Sequence, residues 1–119
     1  MTNTIHKFDF ANYKKYYKFL ISNFGHANFI GCKYLAVVLK EYNDMELVQN
    51  CFARVGEMLG TTGAAIEKSC RFYMNIITEE FTIEDLRILF DYPFKPMQTK
   101  VTLAEFIPVA KFYIENIMD

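Results

Sequence analysis

The chain has no tryptophan, only two histidines, and three cysteines that never come closer than a separation of nineteen residues. With no CxxC pair and an odd count, Cys32, Cys51 and Cys70 fit neither a disulfide framework nor a zinc site, and they read as buried free thiols. His6 and His26 have no nucleophile or ligand partner at a telling spacing, and no glycine-rich phosphate loop is present, so neither an enzyme nor a cofactor or metal site is expected. Long apolar runs are also missing. The longest, Tyr34 to Leu39, is far below the ~20 residues of a membrane span, and Met1 to Asp9 lacks the apolar core of a signal peptide. A cytoplasmic protein without membrane contact is expected.

The 119 residues suit one domain, with 52% hydrophobic residues and 23% charged ones. That balance supports a packed core rather than disorder, and the 12 Phe and 8 Tyr supply its bulk. Net charge is only −1, but it is unevenly distributed: residues 1–40 hold six lysines and one acid, residues 41–119 seven cations and thirteen acids. A basic first third can sit on phosphate or form a solvated helix face.

Hydrophobic periodicity and capping residues predict an all-α domain of six or seven helices. The first runs from about Asp9, its N-cap, to Phe24, with Phe10, Tyr13, Tyr17, Leu20, Ile21 and Phe24 on one face. The second spans about Phe29 to Tyr42, burying Ile30, Tyr34, Val37 and Val38. Asp44 is expected to cap a short third helix through about Cys51, and a fourth runs from about Phe52 to Leu59, closed by Gly60. Thr61-Thr62 opens a longer helix to about Glu79. Thr82 with Asp85 forms a near capping box for a helix to Phe90. Residues 91–101, with Pro93 and Pro96, read as a loop. Thr102 with Glu105 is a full capping box for a last helix to about Met118, which Pro108 is expected to kink or restart.

Residues 52–79 thus have the form short helix, glycine-containing turn, longer helix, the layout of a helix-turn-helix whose second helix enters the DNA major groove. At about 100° per residue, Ile66, Cys70, Tyr73, Met74 and Ile77 face the core. Ala64, Lys68, Arg71, Phe72 and Asn75 face out, flanked by Glu67 and Thr78. Arg71 can reach guanine or a phosphate, Lys68 a phosphate, Asn75 an adenine edge or a phosphate, Glu67 a cytosine amino group and Phe72 a thymine methyl. Thr61 or Thr62 can donate to a phosphate at the helix start. An exposed Phe such as Phe72 more often marks a protein contact or an extra core contact.

The order of several segments resembles the C-terminal effector domain of the master sporulation response regulator of endospore-forming bacteria. The carrying segments are Gly31-Cys32-Lys33-Tyr34-Leu35, Glu41-Tyr42-Asn43-Asp44-Met45-Glu46-Leu47, Thr61-Thr62 with Ile66-Glu67-Lys68 and Arg71, Leu89-Phe90-Asp91-Tyr92, and Glu105-Phe106-Ile107. They cover about residues 20–115. The resemblance implies an all-helical fold, double-stranded DNA as partner, and a homodimer on tandem sites. The family's receiver domain has no counterpart in these residues, so a stand-alone effector domain is expected. Ala65 stands where the family has a base-reading Arg, which implies altered specificity. Lys68 replaces an Arg, Phe72 a His, and Asn75 a residue that is commonly Glu. The stretch from Leu47 to Phe52 is about one helical turn shorter than in the family. These departures, with the acidic remainder of the chain, support an alternative: an interaction module or decoy that pairs with a full-length regulator and binds DNA weakly or not at all.

Overall fold

The computed structural model describes residues 9–95 and 97–118. His6 and Pro96, both part of the sequence reading, lie outside them. Among the described residues there are six α-helices and no strand. Helix α1 is Lys14–Asn23, α2 Ile30–Glu41, α3 Val48–Met58, α4 Gly63–Glu80, α5 Ile83–Phe90 and α6 Leu103–Phe112. A 3-10 turn, Phe10–Tyr13, leads into α1, and a π turn, Tyr113–Ile117, extends α6. The Cα radius of gyration, 14.1 Å, is near the ~13.5 Å of a compact chain of this length.

Helix α2 is the centre of the molecule, packing against α1, α3, α4 and α6. Cys32 and every residue from Leu35 to Leu39 are buried. The stretch Leu35–Leu39 is apolar on every side, as suits the inside of a bundle, which explains why adjacent Val37 and Val38 occur in a helix at all, while Lys33 and Lys40 are exposed towards its ends. The expected single face is therefore corrected. Tyr34 is only half-buried, and Ile30 is 52% exposed.

The N-terminal cap is as expected, since Asp9 accepts from the Ala11 N–H at 3.0 Å. The buried face of α1 is broader than the periodicity indicated: Tyr16 and Phe19 are buried, whereas Tyr17 and Ile21 only lean on the core. Phe19 is needed there because it packs with Phe24, Phe90 and Tyr113.

The expected third and fourth helices are one helix. Asn43, rather than Asp44, organises the connection: its Oδ1 accepts from the Met45 N–H and its own N–H donates to Glu46, both at 2.9 Å. Helix α3 then starts at Val48, and its buried residues Cys51, Phe52 and Val55 run through the supposed boundary without a breaker. Arg54 ties the turn down through both Glu46 oxygens (2.6 and 2.8 Å) and the Glu41 carbonyl (2.6 Å).

Helix α5 carries a complete Thr82/Asp85 capping box. At α6 the box is half-formed. Thr102 accepts from the Glu105 N–H, but the Glu105 carboxylate takes the Gln98 side-chain amide instead of its own cap. Pro108 lies inside α6, which neither starts nor stops there; α-helical bonding ends at Phe112, not at Met118.

Candidate nucleic-acid interface

Helices α3 and α4 are joined by the four residues Leu59–Thr62. Gly60 takes a left-handed φ of 74°, and the Thr61 N–H returns to the Gly56 carbonyl at 2.8 Å. Thr62 then caps α4, its Oγ1 accepting from the Ala65 N–H at 3.1 Å. The turn is tight enough that a Cβ on Gly56 would lie 2.6 Å from the Thr62 carbonyl carbon. Small residues on both arms therefore set how closely the start of α4 sits against α3.

The face assignment on α4 holds. Ile66, Cys70, Tyr73, Met74 and Ile77 are buried, while Ala64, Lys68, Arg71, Phe72 and Asn75 are exposed. Thr61 and Glu67 are half-buried and Thr62 is exposed. Thr78 turns back onto its own helix, donating to the Met74 and Asn75 carbonyls.

Two of the candidate base readers are paired with each other: Arg71 donates to Glu67 one turn earlier, at 2.5 Å. An exposed pair of this kind contributes about 0–1 kcal/mol, less than the ~1–3 kcal/mol of discrimination from one bidentate arginine–guanine contact. The pair holds both side chains over the outer face without locking them there. The side chains of Lys68 and Asn75 form no hydrogen bond or ion pair among the described residues. The acids at the other end, Glu79 and Glu80, lie about three turns beyond Lys68, and Glu80 is engaged by His26 Nε2 at 2.9 Å.

Phe72 is not isolated in solvent. It is 54% exposed, and its ring meets Phe29 edge-on, with centroids 5.3 Å apart. Phe29 is the residue that caps the start of α2. Next to it, Gly31 brings α2 against α4 so closely that a Cβ would sit 2.1 Å from the Ser69 carbonyl oxygen. The result is an open groove of about 680 Å3 along α4, lined by Phe29 and Ile30 from the start of α2 and by Ala65, Lys68 and Phe72 from α4. Arg71 and Asn75 also line it. Sequence reading found the α4 residues but put Ile30 on the buried face of α2; the groove depends on the close approach at Gly31, which only the packing of α2 on α4 shows.

Cys32, Cys51 and Cys70 are buried, and burial pushes all three thiols up, Cys51 to about 11. Among the described residues no three His, Cys, Asp or Glu side chains converge as a metal site. Glu84 and Asp85 occupy the first turn of α5, where the helix dipole favours them. No described helix is long and apolar enough to cross a membrane.

Comparison with protein-family models, curated proteins and solved structures finds no match to this chain.

Proposed function

We propose that this chain is a sequence-specific DNA-binding regulator, with α3 and α4 acting as a helix-turn-helix and α4 as the reading helix. The observation that carries the reading is the outward face of α4: Lys68, Arg71 and Asn75 are exposed together, and no acid lies in the first turn. The order of segments resembling the sporulation effector domain, Thr61-Thr62, Glu67-Lys68 and Arg71 among them, points the same way. Thr61 and Thr62 stand at the helix start, where a hydroxyl and the dipole favour a phosphate. Lys68 supplies a second phosphate contact. On docking, Arg71 leaves Glu67 for a guanine edge, and Glu67 becomes free to accept from a cytosine amino group. Asn75 reaches the next base or its phosphate. A homodimer on tandem half-sites belongs to the same reading.

The test is a titration against duplex DNA in a salt series. Binding at about 50 mM salt that falls steeply by about 200 mM is expected. Arg71→Ala is expected to weaken binding by about 1–3 kcal/mol and to relax specificity at one base position. Lys68→Ala should weaken all duplexes alike and reduce the salt slope by about one. Unchanged curves for both variants would remove α4 from the interface.

One observation favours a second reading, an interaction module or decoy for a full-length regulator: the apolar part of the groove, where Ile30 and Phe72 are both more than half exposed. Absence of DNA binding at low salt, together with association with such a regulator, would decide for it.

A further inference from the structure

We infer that the groove beside α4 reads thymine methyl groups, so that the preferred duplex carries an A·T pair where Phe72 and Ile30 meet the major groove; this rests on the DNA-binding reading above. Phe72 is 54% exposed and Ile30 52% exposed, and both line the same groove. Ala65 lies two turns before Phe72 on the α4 side, and its short side chain leaves that end of the groove open. Lys68, Arg71 and Asn75 lie along the same helix. An occupant that fits offers a small apolar group in an anionic surround, with hydrogen-bonding edges beside it. Duplex DNA does so at thymine, the one standard base with an apolar substituent, its C5 methyl, in the major groove.

The geometry also keeps the wall in place before binding. The Phe72 ring is braced edge-on by Phe29 at 5.3 Å, and Phe29 in turn by the His26 ring at 6.0 Å. Ile30 is brought alongside by the close α2–α4 approach at Gly31 and Ser69. Side chains already ordered lose little freedom on docking. An apolar wall of this kind distinguishes thymine from uracil, which differ only by the methyl. Polar readers such as Arg71 and Asn75 do not.

The experiment starts from duplexes enriched by the full chain out of a random pool at about 50 mM salt. Each thymine of the enriched site is then replaced in turn by uracil. At one or two positions the loss of the methyl is expected to weaken binding about four-fold, the factor for burying one methylene-sized group. Phe72→Ala is expected to bind thymine and uracil duplexes equally, and Phe72→Leu to keep the preference. Ile30→Ala approaches the same groove from α2 and should also reduce it; circular dichroism checks that each variant is folded. Equal binding of uracil and thymine duplexes at every position, or an undiminished preference in Phe72→Ala, would overturn methyl reading while leaving DNA binding intact. If no duplex is enriched or bound, both readings fall.

Discussion

Gly31 shows how much a single residue decides in this molecule. Its missing side chain is what allows α2 and α4 to touch, since a Cβ would sit 2.1 Å from the Ser69 carbonyl oxygen and 3.0 Å from the Tyr73 Cβ. Neither neighbour is a flexible side-chain end, so Gly31→Ala must push two buried helices apart. The expected loss is about 1–3 kcal/mol, the usual range for overpacking, seen as a lower urea midpoint. If the proposed reading by α4 holds, binding of duplex DNA should weaken further than stability alone explains, because the groove lined by Ile30 and Phe72 opens. Residue identity alone did not reveal this. A glycine early in a helix reads as a weak helix former, and only the neighbouring helix shows why it is there.

At the scale of elements, local signals were strong where a side chain closes its own backbone. Thr62, Thr82 and Thr102 each cap the helix that follows. They were legible because the bond spans only three residues. Boundaries without such a bond were misplaced, as at the supposed break between Cys51 and Phe52. The loop after α5 is held by Arg87, which donates to the Pro93 carbonyl at 2.6 Å, the Lys95 carbonyl at 3.0 Å and Glu84 at 2.8 Å. Arg87→Ala is expected to speed amide hydrogen exchange across residues 92–98 while leaving α4 protected, because local opening follows the bonds that close a segment. Uniform acceleration through α4 would show that the loop supports the whole domain instead.

Over the whole molecule, chain ends and centre are joined by a few partly buried polar links. Tyr13 donates to Glu41 at 2.9 Å, and Tyr16 donates to Glu115. Lys111 reaches Glu115 and the last carbonyls of α2, at Leu39 and Lys40. Burial, reinforced by Glu41, raises the Tyr13 phenol from 10.0 to about 12. Its proton is therefore held more tightly when folded. That contribution is fully present below pH 10.0 and is lost as pH rises toward about 12. Tyr13→Phe should flatten this alkaline decline in thermal stability. The carboxylates behave oppositely. The Arg54 hydrogen bond lowers Glu46, and although burial opposes it, the Tyr16 and Lys111 bonds lower Glu115; both start from 4.5. Their contribution is present above pH 4.5 and is lost as pH falls below it. Glu46→Gln should make the acid side of the stability profile shallower.

The sequence alone determined the helical class, the start and the core face of α4, and the outward set of Lys68, Arg71, Phe72 and Asn75. Those features depend on caps spanning three residues and on a repeat of about 3.6 residues, both written locally. Tertiary structure alone decided two others: that the middle of α2, Leu35 to Leu39, is buried, and that Phe72 and Ile30 line one groove. Both depend on which helices become neighbours in space. The Arg71–Glu67 pair is different, because it spans one turn of a single helix and is as local as the caps. The helix beginning after Thr62 is therefore best described by both: its face came from periodicity, and its groove from the close approach at Gly31.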